Sequence, residues 1–405
     1  MGFFSLFVSI FLYFHLMSFL SHGLLLAVPQ PLCEQWLKSK PQLAKQLSLK
    51  VFPDSKDSEK FKLFYWTSTE FNPHWPTLVF IPGGPGQTFH QLEWTPIPGI
   101  NFLYFDPRGS GCSADLSEEI KNSPAFYSSE LVVADLLALQ QQLKIKSWSI
   151  YGHSYGTIPA TIFSSQHPTL VHKLFLEGTL INGKKSYWQS AARAEILEKV
   201  LRLLPEAQQK TILSHFTEYP EKSYWFSQLL QERLAYGLNK EKLSLEISRR
   251  LKREMKADFS AQKLHENLPY FSKNFYTQIS CQELSMAEVS VSRLYLYQHQ
   301  KFVFYNPDDF QNLCAPIVFT PKTYDHTNFP LNVPTFYFQG EFDYQTPTQD
   351  AFLHYQNNLS VQKKFFILKN EGHNALRFLL STSDQNKIFE GLNFRDFLLH
   401  ELTAD

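Results

Sequence analysis

The chain has no surplus of either charge: Lys+Arg and Asp+Glu are both 38 in 405 residues. A balanced chain offers no long-range field to nucleic acid or to an anionic membrane surface, so neither is expected as a partner. Cysteine is scarce: Cys33, Cys112, Cys281 and Cys314 form no CxxC pair and no Cys/His cluster, which argues against a zinc site. No metal or organic cofactor is expected. The sequence also lacks a GxxxxGK[ST] run, so its glycine-rich stretch at 82–86 is not a phosphate loop. Beyond the N-terminus, no apolar run approaches the ~20 residues that a membrane-spanning helix needs.

The N-terminus lacks something different. From Met1 to Leu37 there is no lysine or arginine, the first acid is Glu34, and Phe3 to Val28 are nearly all apolar. Residues 1–28 read as a secretory signal segment or an uncleaved signal anchor, with Ser21-His22-Gly23 offering small residues for cleavage. The expected location is exported, periplasmic or secreted, with membrane contact only through this segment if it is retained. An even number of cysteines in an exported chain suggests disulfides. Three pairings are open; Cys281 with Cys314, on either side of one segment, is favoured.

What is present is enough for a large core: 43% hydrophobic residues, with 37 Phe. From about residue 61, short β-rich runs alternate with helical stretches, the pattern of a mostly parallel sheet with helices on both faces. The strand candidates are Phe61–Trp66, Leu78–Ile81, Phe102–Phe105, Trp148–Tyr151, Leu174–Leu176, Thr335–Phe338 and Phe365–Leu368. Most are continuous apolar runs, as expected of strands buried on both faces. Leu131, Ala134, Leu137, Ala138 and Leu143 recur at helical spacing. The alternation stops after Thr179 and resumes at Thr335. Residues 180–330 show no strand rhythm and read as a helical cap inserted after the sixth strand of the sheet, with aromatic clusters at Trp188, Tyr224–Phe226, Tyr270–Phe271 and Phe275–Tyr276. Residues 29–179 and 331–405 form the core, and the cap is expected over the sheet's C-terminal edge, where sites of open α/β sheets lie.

Three signals carry chemistry. Gly152-His153-Ser154-Tyr155-Gly156 follows a strand and precedes a helix-compatible segment. A serine at such a strained turn has its hydroxyl pushed out over the sheet edge. Pro82-Gly83-Gly84-Pro85-Gly86 follows the strand Leu78–Ile81 and presents bare backbone N–H groups of the kind a tetrahedral oxyanion requires. Gly84 is the expected donor, with Gly83 as alternative, and Tyr155, next after the serine, is the second. Asp343 and His373 each lie just past a strand, in the chain order Ser154…Asp343…His373. A serine hydroxyl is a poor nucleophile at neutral pH, so it needs an imidazole to take its proton and an acid to orient that imidazole. Glu341 is a nearby rival for the acid.

These residues resemble the proline iminopeptidase family of α/β-hydrolases. Pro82–Gly86, Asp106-Pro107-Arg108-Gly109-Ser110-Gly111-Cys112-Ser113 and Gly152–Gly156 are similar to its HGGPG, DxRGxGxS and GxSxG motifs. Asp135-Leu136…Leu143…Ile145…Trp148 and Gly340–Pro347 are similar as well, and the likeness covers about residues 60–180 and 330–380. Ile279-Ser280-Cys281-Gln282-Glu283, with Cys314, resembles the cap motif of the tripeptidyl aminopeptidase branch. The resemblance implies an α/β-hydrolase fold, a structural role for Asp106 and Arg108, and removal of a proline or a short peptide from a free N-terminus. Pro82 stands where the family usually carries histidine, and Tyr155 where it carries tryptophan, so strict proline specificity does not come with it. An aminopeptidase must bind a protonated α-amine, which calls for a buried carboxylate; Glu283 is the first candidate and Glu177 the second. The expected activity is that of a serine exopeptidase working through an acyl-enzyme on peptide substrates. A carboxylesterase or lipase with the same triad, acting on small esters, is the alternative. A non-catalytic binding relative is disfavoured by the intact triad.

Overall fold

The computed structural model describes residues 30–56, 58–88, 94–182, 190–218, 223–235, 237–254, 272–285, 294–297, 300–303, 312–316, 322–376 and 388–404. The N-terminal segment 1–28, Trp188 and Tyr270–Phe271 lie outside the described residues.

Eight strands form one sheet in the order β1-β2-β4-β3-β5-β6-β9-β10. They are β1 (Ala44–Lys50), β2 (Lys60–Thr67), β3 (Thr77–Ile81), β4 (Asn101–Phe105), β5 (Trp148–His153), β6 (Val171–Glu177), β9 (Thr335–Gly340) and β10 (Lys363–Leu368). β1 and β2 are antiparallel to their neighbours; β4, β3, β5, β6, β9 and β10 run parallel. All seven strands expected from sequence are present. β1 is an addition: it is an edge strand whose alternate residues face outward, so it lacks the continuous apolar run that marks the others.

The central strands are buried on both faces, and the two-residue side-chain period sorts them into two cores. Val79, Ile81, Leu103, Ile150, Leu174, Leu176 and Tyr337 face one core. Leu78, Phe80, Phe102, Tyr104, Tyr151, Phe175, Phe336 and Phe338 face the other. Helix α1 (Gln30–Ser39) contributes Cys33 to the second core. A short α2 (Glu118–Lys121) leads to α3 (Ser129–Gln142), and α4 (Thr157–Gln166) follows β5. Val132, Val133, Leu136 and Leu139 of α3 and Ile158, Ile162 and Phe163 of α4 cover the first face.

Between β6 and β9 the chain builds the cap from α5 (Ser190–Leu203), α6 (Glu206–Glu218), α7 (Ser223–Leu234), α8 (Lys240–Glu254) and α9 (Lys273–Gln282). The expectation of a strand-free cap is corrected here: β7 (Leu294–Tyr297) and β8 (Gln300–Val303) pair as an antiparallel hairpin. Each run is only four residues long, too short for periodicity to separate strand from helix. The cap has a core of its own, including Val200, Leu229, Leu234 and Ile247, with Cys281 and Cys314 inside it. α10 (Thr348–Asn357) joins β9 to β10, and α11 (Phe394–Thr403) closes the second face with Phe394, Phe397, Leu398 and Leu402.

Two disulfides are formed, Cys33–Cys112 and Cys281–Cys314. The favoured pairing is the observed one. Among the described residues no helix is long and apolar enough to cross a membrane.

Candidate active site

The site gathers at the C-terminal ends of β3, β5, β6, β9 and β10. Ser154 is the first residue after β5 and has a φ of +53°. That left-handed conformation costs a non-glycine residue about 1–3 kcal/mol, so the surroundings must hold it. Glycines on both sides make this close fit feasible. A Cβ at Gly156 would lie 2.2 Å from the carbonyl oxygen of Ile81, and one at Gly152 would lie 2.6 Å from that of Gly156. The elbow is locked from beyond the turn as well: Thr157 Oγ1 donates to the Ser154 carbonyl at 2.7 Å and accepts from the Leu180 amide at 3.1 Å. Ser154 itself is 7% exposed.

His373 follows β10 and is buried, as is Asp343 after β9. The His373 ring donates from Nδ1 to Asp343 Oδ2 at 2.9 Å, which leaves Nε2 as the ring's acceptor. The Asp343 carboxylate is gripped by further donors: Gln345 N at 3.0 Å, Thr346 N at 2.9 Å, Thr346 Oγ1 at 2.7 Å and Gln339 Nε2 at 2.9 Å. Burial disfavours the Asp343 carboxylate, but the His373 charge and these donors outweigh it and hold its pKa below the ordinary value. Burial likewise opposes the His373 imidazolium. The Asp343 charge and hydrogen bond, aided by Glu177, prevail and raise the His373 pKa above the ordinary histidine value. Glu341, the rival acid, instead accepts from the Asn370 amide at 3.0 Å. Among the described residues no hydrogen bond joins Ser154 to His373, a bond that in unliganded sites often tightens only with substrate.

The glycine loop meets the elbow through Gly83: a Cβ there would lie 3.0 Å from the Ser154 Cβ. Gly84, one residue further, has a φ of +109° and a cis bond to Pro85. Tyr155 is fully buried beneath the elbow, and its hydroxyl bonds Ser129 Oγ at 2.9 Å.

Both candidate amine-binding acids are buried and already hydrogen-bonded. Glu283, just past α9, accepts from Ser129 N at 2.8 Å and from Ser129 Oγ. It sits at the N-terminus of α3, where unsatisfied amides and the helix dipole favour an anion. Glu177, at the end of β6, pairs in the sheet with His153. It accepts from the Tyr151 hydroxyl and, at 2.8 Å, from the Leu376 amide. Burial pushes each acid up to about 7, against the lowering effect of its donors. Among the described residues neither forms an ion pair with lysine or arginine.

Sequence reading did not single out three supporting residues. His153 Nε2 bonds the His373 carbonyl at 3.0 Å, and Gln339 and Thr346 hold the acid. Thr346 falls inside the Gly340–Pro347 stretch, but no local pattern gives it this role. Asp106 and Arg108 behave structurally, as the resemblance implied. Asp106 Oδ2 accepts from the Cys112 amide at 2.7 Å. Arg108, fully buried, makes a two-pronged bond to Asp135 at 2.8 and 2.7 Å and also reaches the Val51 and Phe126 carbonyls. Among the described residues no group of three or more His, Cys, Asp or Glu could hold a metal ion.

The chain is 26% identical over 158 residues to the proline iminopeptidase of Xanthomonas citri, covering 36% of this chain and 47% of that one. It is 28% identical over 159 residues to the proline iminopeptidase of Arabidopsis thaliana, covering 35% and 38%. The matches thus span less than half the length of either relative. The solved proline iminopeptidase of Mycobacterium smegmatis aligns over 89% of this chain and 100% of its own at 14% identity, with a TM-score of 0.45. A sequence profile of the alpha/beta hydrolase fold matches residues 76–377, from the start of β3 to just beyond His373, and the chain belongs to that family.

Proposed function

We propose that this hydrolase is an exported serine exopeptidase that releases an N-terminal proline or a short peptide from peptide substrates. Ser154 attacks the scissile carbonyl while His373 Nε2 takes the hydroxyl proton. Asp343 keeps Nδ1 protonated and stabilises the imidazolium. The oxyanion is received by the Tyr155 amide and by the glycine loop, at Gly84 or at Gly83, which packs against Ser154. The imidazolium then gives its proton to the leaving amine, the C–N bond breaks, and an acyl-enzyme remains on Ser154. Water, deprotonated by His373, attacks the acyl carbon; the bond from that carbon to Ser154 Oγ breaks, the imidazolium returns the proton to Oγ, and the carboxylic product leaves. No cofactor enters any of these steps.

The observation that carries the reading is the Asp343–His373 bond, gripped by four further donors, at the same sheet edge as a serine in a strained turn. The relatives named proline iminopeptidase support the peptidase choice over an esterase. So do two buried acids that, among the described residues, form no ion pair with lysine or arginine: a bound α-ammonium would supply such a cation to Glu283 or Glu177. The two disulfides support the exported reading, since they persist in oxidising compartments.

Purified full-length enzyme, assayed on aminoacyl and tripeptidyl arylamides and on short p-nitrophenyl esters, tests the proposal. Arylamide turnover that Ser154→Ala abolishes is the expected result. Ester turnover with no arylamide cleavage would move the assignment to a carboxylesterase. Failure of a fluorophosphonate to label Ser154 would remove the triad reading altogether.

A further inference from the structure

The parts of the proposed triad are held from different directions. Ser154 is fixed by the core: β5, α4, the Gly83 loop and Thr157 set its position. Asp343 and His373 sit on loops that the cap grips from outside. Arg193 of α5, buried, donates from Nε to the Tyr344 carbonyl at 3.1 Å and from Nη2 to the Gln345 carbonyl at 2.8 Å. These are the two residues after Asp343. The Ser227 hydroxyl of α7 bonds the Tyr344 hydroxyl at 2.7 Å. Phe342 and Tyr344, on either side of Asp343, are buried in the cap's own core.

The histidine loop is clasped in the same way. The Asn374 amide donates to the Ala235 carbonyl at 2.7 Å, and the Leu238 amide donates to the Asn370 carbonyl at 2.7 Å. Gly372, next to His373, is so close to α7 that a Cβ would fall 1.3 Å from the Leu234 carbonyl oxygen. On the core side the same loop is tied by His153 to the His373 carbonyl and by Glu177 to the Leu376 amide.

We propose that the cap positions the general base: α5, α7 and the stretch after α7 hold the Asp343 and His373 loops where the imidazole can take the Ser154 proton. Arg193 and Ser227 are then positioning residues for the chemical step and not only parts of a substrate enclosure. Misplacing a catalytic group by about 1 Å can cost about 100-fold in rate, and loops at strand ends are held only as well as their tethers hold them. The inference rests on His373 being the base.

The test uses the full chain and p-nitrophenyl acetate, a substrate too small to need a cap-built pocket, beside an aminoacyl arylamide. In Arg193→Met, kcat on both substrates should fall about 10- to 100-fold, with the KM for the acetate changed less than about threefold. Arg193→Lys should recover part of the loss. Ser227→Ala, which removes one hydroxyl and keeps the fold, should lower kcat on both substrates a few-fold. A merely structural or pocket-forming role would leave acetate kcat within twofold in folded variants and move only arylamide KM; that result overturns the inference. His373→Ala separates the two levels. If it kills acetate turnover while the cap variants do not change it, positioning by the cap is wrong and the base assignment stands. If it retains turnover, the base assignment itself falls.

Discussion

At the scale of single residues, the electrostatics of the Asp343–His373 pair set the expected pH behaviour. As the proposed base, His373 must be neutral to accept a proton, and its pKa is raised. Therefore kcat/KM should climb with pH through an acid limb lying above 6.5, read from a pH–rate profile on an arylamide. Asp343→Asn should keep the fold and lower kcat by about 10^4-fold, because the wrong imidazole tautomer is then favoured. Glu341→Gln should change kcat less than about threefold, since Glu341 bonds the Asn370 amide and not His373. Glu283 gives a stability prediction whose sign follows from its raised pKa of about 7. A group raised on folding stabilises fully below its unfolded value, here an ordinary carboxylate at 4.5, and loses that contribution as pH rises through about 7. Urea unfolding of Glu283→Gln should therefore vary less with pH over that window than the parent, by on the order of 3 kcal/mol.

At the scale of elements, the loop after β4 is anchored by one buried cation. Arg108 draws together α3 through Asp135, the strand-end carbonyl of Val51, and the Phe126 carbonyl. Both partners of the ion pair are nearly inaccessible. Removing one charge leaves the other buried and unpaired, so Arg108→Met should cost about 3–5 kcal/mol in thermal or urea unfolding. The elements also differ in how far their own sequences reveal them. The inner strands β3, β4, β5, β6 and β9 are legible because both faces are buried, which forces continuous apolar runs; β10, at the other edge, keeps the apolar run Phe365–Leu368 although it is only partly buried. β1 alternates Leu47 and Leu49 with exposed Gln46, Ser48 and Lys50 and lies at the sheet edge. The β7–β8 hairpin hides among cap aromatics, in runs of four residues.

At the scale of the whole molecule, the cap and core are joined by long-range bonds. Ser272 at the start of α9 donates its amide to the Gly86 carbonyl at 2.9 Å, and Glu283 reaches Ser129. Cys281–Cys314 closes a 33-residue separation inside the cap core. Replacing both with serine should lower stability by about 2–5 kcal/mol. In that double variant the cap, which loses its own cross-link while Cys33–Cys112 is kept, should become protease-sensitive before the sheet, as seen by limited proteolysis.

The sequence by itself determined the residue types and chain order of the proposed triad, the glycine loop and the sheet rhythm. Each is written in neighbouring residues: strands need apolar runs, and a strained elbow needs small flanks. Tertiary structure alone decided that Asp343 and not Glu341 meets His373, that Glu283 caps α3 at Ser129, and that Arg193 and Ala235 grip the Asp343 and His373 loops. Those outcomes depend on partners more than a hundred residues apart, or on which of two nearby acids points inward. Such pairings arise from packing in three dimensions, and no local pattern encodes them.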